Sequence, residues 1–289
     1  MPGGGDFFTG REAGGRGRRA GPVQGTAIMT DKILAETADG IGWLTFNNPA
    51  RRNAISLEMW QASTEVLDGF ERDASVRVVV LRGAGGKAFV SGADISQFED
   101  QRKNAEQQEV YTRMHEAARA RMNAMTKPVL AMIEGYCIGG GISVAASADI
   151  RIAGEDAVFG VPAARLGLGY GFDSITRIVG LIGPANAKEL LFTAGRIDAR
   201  EALRIGLVNK VVPVAQLESV VREMALAIAG NAPLTIKAAK LGIDQAMLDA
   251  PARDMDGVTA AVKACFDSED YVTGRRAFMA KVPPVFTGH

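Results

Sequence analysis

The sequence is poor in the side chains that most often hold transition metals. Its 289 residues include two histidines, His115 and the terminal His289, and two cysteines, Cys137 and Cys265. These four residues are too widely spaced to form a ligand motif of the kind found in zinc sites. We therefore expect no metal site, and the cysteine usage favours a reducing cytoplasm as the location.

An excess of one charge and a long apolar run are also missing. Lysine plus arginine and aspartate plus glutamate both number 33, so the formal net charge is +0. Nucleic acids and anionic membrane surfaces are bound through a basic excess, and neither is an expected partner. No run approaches the ~18 apolar residues of a membrane span, and the first residues lack the apolar core of a secretory signal. With 47% hydrophobic residues, the chain is predicted to be a soluble globular protein.

Residues 1–28 differ in composition from the rest of the chain. They contain nine glycines and four arginines against one aspartate and one glutamate. Such a segment is predicted to be disordered. An arginine-rich targeting peptide is the alternative, but the segment has no serine and carries Asp6 and Glu12. Because "MTDKILAE" from Met29 reads like a natural start, we expect a dispensable leader.

From Met29 onward the pattern predicts an α/β fold. "KILAE" and "IGWLTF" flank a hairpin turn at Asp39-Gly40, and "SLEMWQASTEVLDGFERD" predicts a helix capped by Ser56. "VRVVVLRG" and "VLAMI" predict buried strands, with a second helix expected across 104–125 between them. From about residue 215 the pattern is helical. We therefore expect a core over 29–215 and a helical region over 216–289.

Three consecutive glycines, Gly139 to Gly141, stand inside "GYCIGGGISVAASAD". This stretch predicts a strand, a tight turn and a helix whose first N–H groups lack partners and can face an anion. The alternative is that the glycines only let the helix pack closely on the sheet.

Three functions use such a turn. A dinucleotide site needs G-x-G-x-x-G, which "GYCIGGG" and "GLGYG" do not match. A serine hydrolase elbow needs G-x-S-x-G, and "GISVA" supplies Gly141 and Ser143 but ends in Ala145; its base would have to be His115, on a charged helix. The third function is an oxyanion hole for a thioester enolate.

A second turn favours the oxyanion hole. "KAFVSGADISQF" places Gly92, Ala93 and Asp94 after the strand predicted at 76–82, where a backbone N–H can face a ligand. Together with "NPARRNAIS", "ADIRIAGEDAVFGVPAARLGLG", "ELLFTAGRIDAREALRIGLVNKVV" and "GRRAFMAKVPPVFTG", these motifs resemble the crotonase, or enoyl-CoA hydratase and isomerase, family. The resemblance runs from about Lys32 to the C-terminus.

The resemblance implies a crotonase-like spiral of ββα units with a helical C-terminal trimerisation region, assembled as a homotrimer or a dimer of trimers. It implies an acyl-CoA substrate and no cofactor beyond the CoA of that substrate. The backbone N–H groups of Ala93 and Gly140 match the donors that hold the thioester oxygen. The residues expected to bind substrate are Arg51, Arg52, Ala54, Gly92, Asp94, Ile95, Tyr136, Gly139, Pro162, Ala163, Phe278 and Lys281.

The sequence departs from the family at its acid-base positions. Hydratases of the family carry two glutamates, and the matching positions here are Ser143 and Ala163. Serine without a partner is not a general base near neutral pH, and alanine cannot transfer a proton. Other residues that can supply a proton are Asp173, Tyr170, Tyr111, His115 and Glu134. The plainer interpretation of Asp173 is the N-cap of a helix that begins in "SITRIVG".

Three hypotheses remain open at this point. The chain is a hydratase or isomerase with displaced acid-base residues, a decarboxylase or hydrolase of malonyl-type thioesters, or a non-catalytic acyl-CoA binder. In the second hypothesis Arg165, in "VPAARLG", is the candidate clamp for the substrate carboxylate, although a surface role for Arg165 is the plainer interpretation. A CoA-independent serine hydrolase is a more distant alternative.

Overall fold

The computed structural model of the chain describes residues 30–94 and 105–289, and from 105 to 112 it describes the backbone alone. The expected leader at 1–28, Ile95 and the side chain of Tyr111 lie outside the described residues.

The described residues contain ten strands, which form two sheets. The larger sheet has the order β1-β2-β3-β5-β7-β10 and the smaller one β4-β6-β8-β9. Only the β1–β2 and β8–β9 pairs are antiparallel; the other neighbours in both sheets run parallel. The strands of the larger sheet are β1 Ile33–Ala38, β2 Ile41–Phe46, β3 Val78–Gly83, β5 Val129–Ile133, β7 Ile150–Gly154 and β10 Lys210–Val212. Those of the smaller sheet are β4 Ala88–Val90, β6 Tyr136–Ile138, β8 Val158–Gly160 and β9 Arg196–Asp198.

The described residues form nine α-helices. The first five are α1 Leu57–Arg72, α2 Ala105–Asn123, α3 Gly140–Ala146, α4 Phe172–Thr193 and α5 Ala199–Arg204. The helical C-terminal part contains α6 Val214–Ala229, α7 Pro233–Ala246, α8 Met255–Asp267 and α9 Glu269–Ala280. Helix α4 is kinked at Gly183, which has a φ of 72° and precedes Pro184. Among the described residues, no helix combines the length and apolar character that crossing a bilayer requires.

A strand of the larger sheet, a short strand of the smaller sheet and a helix recur in that order. The units are β3-β4-α2, β5-β6-α3 and β7-β8-α4. Helices α2 and α3 return the chain to the larger sheet at β5 and β7, so consecutive units stack parallel strands side by side, whereas α4 leads to β9 of the smaller sheet. The predicted α/β spiral of ββα units with a helical C-terminal region is therefore confirmed. The exact division into domains at residues 29, 216 and 289 stays a prediction.

The larger sheet is buried on both faces, which explains its nearly continuous apolar strands. On one face Leu44, Val79 and Leu81 join the core shared with α1 and α3. On the other face Trp43 and Val80 pack with the buried side of α6. The sheet therefore separates the C-terminal helix α6 from the face on which α3 and the glycine turns lie.

The predicted local signals are present in the structure. Asp39 and Gly40 have φ values of 55° and 80°, as a two-residue hairpin turn between β1 and β2 requires. The Met59 N–H donates to the Ser56 Oγ at 3.3 Å, so Ser56 caps α1. Three details differ from the expectation. Helix α3 ends at Ala146 and does not run to Asp149, the end of the stretch in which the helix is predicted.

The interpretation of Asp173 as a helix cap is also wrong. Gly171 is the N-cap of α4, and Asp173 lies in its first turn. The turn at Gly92 was expected directly after the strand β3. In the structure the short strand β4 lies between β3 and this turn.

Candidate active site

Two glycine turns face each other across a small gap. Gly92, after β4, has a φ of 104°, and Gly139, after β6, has a φ of 56°. A Cβ built on Gly140 lies 3.7 Å from the Gly92 Cα and 3.8 Å from the Ala93 nitrogen. A Cβ built on Gly92 lies 3.8 Å from the Gly140 nitrogen. The backbone nitrogens of Ala93 and Gly140 therefore border the same space.

Backbone hydrogen bonds hold both turns in place. The Ile55 N–H donates to the Gly92 carbonyl at 2.8 Å, and the Asp94 N–H donates to the Ile55 carbonyl at 3.1 Å. Across the gap, the Gly139 N–H donates to the Gly160 carbonyl at 2.8 Å. Since these partners belong to the sheets and their adjoining loops, the turns are positioned by the fold.

The N–H groups that border the gap are available to a ligand. Within residues 30–94 and 105–289, neither the Ala93 N–H nor the Gly140 N–H donates to a protein acceptor. Gly140 is the first residue of α3, and first-turn N–H groups have no partner inside their own helix. Two converging N–H donors can stabilise a negative oxygen that develops during a reaction.

The neighbouring glycines serve packing as well. A Cβ on Gly141 would lie 2.1 Å from the Val90 carbonyl oxygen, so no side chain fits there. Gly140 has room for one, because every neighbour of its built Cβ is 3.7 Å away or farther. Gly141 therefore allows close packing, whereas Gly140 presents an N–H beside open space, and its role as an oxyanion donor stays a prediction.

A cluster of hydroxyl groups surrounds Ser143, the residue that the resemblance matches to a family glutamate. Ser143 is 4% exposed, and its Oγ lies 2.7 Å from the Tyr170 hydroxyl. The Ser143 Oγ also lies 3.3 Å from the Ser174 Oγ, and the Tyr170 hydroxyl donates to the Gly139 carbonyl at 3.2 Å. Tyr170 is thus brought to the glycine turn, one residue from the Gly140 N–H. We call Ser143, Tyr170 and Ser174 the hydroxyl cluster.

The environment of Tyr170 keeps its hydroxyl protonated. Burial raises the pKa of Tyr170 above its ordinary value, while the hydrogen bond from Ser143 and the charge of Arg119 act in the opposite direction with smaller effect. At neutral pH the group is a proton donor and not a base.

The loop around Ala163, the residue that the resemblance matches to the second glutamate, brings no proton donor to the gap. Pro162 approaches Gly139, with its Cδ 3.9 Å from a Cβ built there, and Ala163 packs against the core. Arg165 is exposed at the surface, as the plainer interpretation expected. The structure therefore does not support Arg165 as the residue that holds a substrate carboxylate.

The remaining acid-base candidates lie in other surroundings. Asp173 is exposed, and the His115 ring packs edge-on against Trp60 with centroids 4.9 Å apart. Glu134 follows β5; burial, then the charges of Asp156 and Glu218, raise its pKa. None of these three contributes a hydrogen bond to the hydroxyl cluster as far as the described residues show.

A cavity of about 310 Å³ contains part of the expected substrate-binding set. Arg52 and Tyr136 line it together with Lys87 and Asp156. The Arg52 guanidinium stacks 5.0 Å from the centre of the Tyr136 ring, and Arg196 lies 5.6 Å from the same ring. A cationic wall with an aromatic face suits phosphate and ring groups.

Other members of that set lie elsewhere. Arg51 is exposed, and Ala54 is buried beside the turn at Asn53. Phe278 is 82% exposed near the end of α9, and Lys281 is exposed just after that helix. Neither of the last two lines this cavity.

Sequence reasoning missed Lys87, Arg196 and Ser174. Lys87 stands in the quoted segment "KAFVSGADISQF", shortly before the turn at Gly92, and this position was a usable signal. Ser174 gave no local signal, because it reaches Ser143 through the packing of α4 against α3.

Known proteins are similar to this chain in sequence and in fold. The family model described as enoyl-CoA hydratase/isomerase matches residues 36–289. The short-chain-enoyl-CoA hydratase of Clostridium acetobutylicum is 36% identical over 255 residues, covering 87% of this chain and 95% of the relative. The crotonyl-CoA hydratase of Syntrophomonas wolfei is 35% identical, covering 87% and 96%.

Solved structures agree with these relatives. An enoyl-CoA hydratase/carnithine racemase from Magnetospirillum magneticum superposes with a TM-score of 0.84 at 36% identity, covering 90% of this chain and 97% of the other. An enoyl-CoA hydratase from Bacillus anthracis gives a TM-score of 0.82 at 31% identity, covering 90% and 100%.

The spiral of ββα units and these matches define a protein of the crotonase superfamily. The chain belongs to the enoyl-CoA hydratase/isomerase family of acyl-CoA enzymes, and the predicted family is confirmed. It is thus an enzyme of the crotonase lyase/isomerase type. In the described part of the chain, no group of three or more histidine, cysteine, aspartate or glutamate side chains is arranged to hold a metal ion.

Proposed function

We propose that this chain forms or consumes a CoA-thioester enolate, held by the Ala93 and Gly140 N–H groups, and that Tyr170 supplies the proton. The observation that carries the proposal is the hydrogen bond of Tyr170 to the Gly139 carbonyl at 3.2 Å, beside the gap that both N–H groups border. An acid and an oxyanion site thus stand side by side without a carboxylate pair.

The two N–H groups act on the charge that develops at the thioester oxygen. In other enzymes, removal of one such donor costs ~3 to 4 kcal/mol of transition-state stabilisation. The donors are preorganised, because hydrogen bonds to Ile55 and Gly160 fix the two turns before substrate arrives. The cavity lined by Arg52, Lys87 and Tyr136 is the proposed place for part of the CoA moiety.

Tyr170 acts on the carbon next to the thioester. Its O–H bond breaks, the proton forms a C–H bond at the α-carbon of the enolate, and the thioester carbonyl is restored. The phenolate left behind accepts a hydrogen bond from Ser143 and feels the positive charge of Arg119 until water returns the proton.

Decarboxylation of a malonyl-type thioester is a second candidate, and the protonated state of Tyr170 favours it. In that reaction the bond to the carboxylate breaks, its electron pair becomes the enolate, and carbon dioxide leaves. This reaction needs no base to start, but it needs an acid to protonate the enolate after carbon dioxide has left. The hydroxyl cluster supplies such an acid in Tyr170. Hydration through displaced acid-base residues and non-catalytic binding remain the competing hypotheses.

The experiment compares Tyr170→Phe with wild type on enoyl-, malonyl- and methylmalonyl-CoA, with products identified by mass spectrometry. Gain of water reports hydration, and loss of carbon dioxide reports decarboxylation. We expect Tyr170→Phe to lower kcat by about 10²- to 10⁴-fold with little change in binding, as for loss of a general acid. The matched control is Tyr271→Phe, the same substitution on the exposed Tyr271 of α9. Full activity of Tyr170→Phe would contradict the role of Tyr170, and binding without turnover of any substrate would contradict catalysis.

A further inference from the structure

The three side chains of the hydroxyl cluster form a continuous chain of oxygen atoms that ends beside the gap. The Tyr170 hydroxyl donates to the Gly139 carbonyl at 3.2 Å and lies 2.7 Å from the Ser143 Oγ. The Ser143 Oγ lies in turn 3.3 Å from the Ser174 Oγ. The chain therefore joins the glycine turn after β6 to the first turn of α4, where Ser174 has no part in the reaction proposed above.

The number of protons in the cluster decides which way its hydrogen bonds point. Each hydroxyl has a single proton to donate. With Tyr170 donating to the Gly139 carbonyl, the proton between Tyr170 and Ser143 must come from Ser143. The proton between the two serines must then come from Ser174. In this arrangement every donor points towards the gap, so a proton lost from Tyr170 can be replaced from Ser143, and that of Ser143 from Ser174.

The gap is a poor route for returning a proton to Tyr170. The Tyr170 hydroxyl lies at the Gly139 carbonyl, and the next residue, Gly140, borders the space proposed for the thioester oxygen. An acyl-CoA bound there fills this space and keeps water out of it. Ser143 and Ser174 are each 4% exposed, so the chain of hydroxyl groups leads from Tyr170 into the protein and not into the gap.

The outer end of the chain lies where water is expected. Ser174 stands in the first turn of α4, and residues 171–173 directly before it are exposed. The N-cap of this helix is Gly171, and among the described residues no side chain caps its N–H groups. First-turn N–H groups that lack a protein acceptor are commonly satisfied by water. A water molecule held there is close enough to Ser174 to deliver a proton to the chain.

From this arrangement we infer that Ser143 and Ser174 form a relay that returns a proton to Tyr170 while the CoA thioester is still bound. The inference rests on the proposed function, because it starts from a Tyr170 that has given its proton to the enolate carbon. The relay adds a second task to the cluster: Tyr170 delivers the proton, and the two serines restore it.

The proton transfers balance along the chain. The O–H bond of Ser143 breaks as that of Tyr170 forms, and the O–H bond of Ser174 breaks as that of Ser143 forms again. A solvent water gives its proton to Ser174, and the hydroxide left in solvent is neutralised by the buffer. The shifts occur together, so no serine alkoxide forms. Since the contact between the serines is the longer one, at 3.3 Å against 2.7 Å, it is the step that limits the relay.

The test separates the first turnover from those that follow. Tyr170 is protonated when the substrate is added, so the first proton transfer does not need the relay. Malonyl-, methylmalonyl- and crotonyl-CoA are mixed with enzyme in a rapid-quench instrument, and product is counted per active site. On the substrates that the wild type converts, we expect Ser174→Ala to form about one product per active site at the wild-type rate and then to turn over at least ~10-fold more slowly. The wild type should show no such burst.

Two further variants show whether this effect belongs to the hydroxyl group. Ser174→Thr keeps a hydroxyl and should recover most of the rate of the later turnovers. Ser147→Ala is the matched control, because Ser147 is 5% exposed and its Oγ donates to the Ser143 carbonyl at 3.0 Å, beside the chain but outside it. It should behave as the wild type. An equal loss in the first and later turnovers of Ser174→Ala would show that Ser174 only positions Ser143, and it overturns the inference, as do later turnovers at the wild-type rate.

The outcomes separate this inference from the proposed function. If Tyr170→Phe is inactive and Ser174→Ala keeps wild-type kinetics in both phases, only the relay is rejected. If Tyr170→Phe keeps full activity, or if the wild type converts none of the three substrates, both are rejected. Should Ser174→Ala fail to fold, Ser143→Ala interrupts the same chain one step nearer to Tyr170, and the same two-phase result is expected of it.

Discussion

The substitution Gly140→Ala separates the chemistry of the glycine turn from its packing. The added Cβ would lie 3.7 Å from the Gly92 Cα and 3.8 Å from the Ala93 nitrogen, which are ordinary contact distances. Gly140 begins α3, and alanine favours a helix over glycine by up to about 1 kcal/mol. We therefore expect the free energy of unfolding to stay level or rise slightly.

The same methyl group enters the gap in which the thioester oxygen is proposed to accept two hydrogen bonds. Loss of one donor of this kind costs about 2.7 to 4 kcal/mol, or ~10²- to 10³-fold in kcat, in other enzymes. We expect Gly140→Ala to lose at least ~10²-fold in kcat. Affinity for the CoA part should change much less, because the cavity at Arg52 and Tyr136 does not include Gly140.

The control is the same substitution one residue later. A Cβ on Gly141 would stand 2.1 Å from the Val90 carbonyl oxygen, so Gly141→Ala must move the backbone. Overpacking of this kind costs about 1 to 3 kcal/mol or more. Denaturant unfolding and steady-state kinetics on both variants provide the measurement. Wild-type kcat in Gly140→Ala, or wild-type stability in Gly141→Ala, would refute the reasoning.

The pH profile, a glutamate variant and a turn variant test other contacts of the molecule. Since burial raises the pKa of Tyr170 and an acid works below its pKa, kcat should stay level through the neutral range and fall only at a pH above the ordinary pKa of tyrosine. An acid limb between about pH 4 and 6 would indicate a carboxylate instead. Ser143→Glu with Ala163→Glu should raise hydration of crotonyl-CoA, followed by absorbance, and more so when Tyr170→Ala makes room; a folded triple variant without gain contradicts this. Asn53→Ala breaks two hydrogen bonds donated to carbonyls at 2.9 and 2.7 Å and one accepted from the Asn48 N–H at 2.9 Å, and it leaves alanine at a φ of 56°. Its free energy of unfolding should fall by ~3 kcal/mol, and a loss under ~1 kcal/mol would speak against that account.

The long elements of this fold are predictable because each carries its own signal. The turn residues Asp39 and Gly40 and the cap Ser56 act within a few residues of their effects, so a local pattern is sufficient. The short strands β4 and β6 have three residues each, and their pairing joins Ala88 to Tyr136 across the whole of α2. Nothing within three residues specifies such a partner, so the sequence does not predict the smaller sheet.

The gap between the two turns is an intermediate case. Gly92 and Gly140 are identifiable as turn residues, but their mutual approach depends on the parallel packing of β4 and β6. The resemblance to a family supplied this pairing, and the structure gives its distances. The gap can be predicted from the backbone path alone, because its donors are backbone N–H groups. Any residue except proline at position 93 would present the same donor.

The side chains around the gap are less predictable, and the hydroxyl cluster shows why. From the sequence alone, Ser143 indicates only that an acid of the family is absent. Its hydrogen-bond partner Tyr170 lies 27 residues further along the chain and is not suggested by the local pattern. In the structure the Tyr170 hydroxyl lies 2.7 Å from the Ser143 Oγ. A glutamate at 143 would need the space that Tyr170 occupies. The short residue at 143 and the long residue at 170 are therefore one coupled feature, and a change at either position should be interpreted with the other in view.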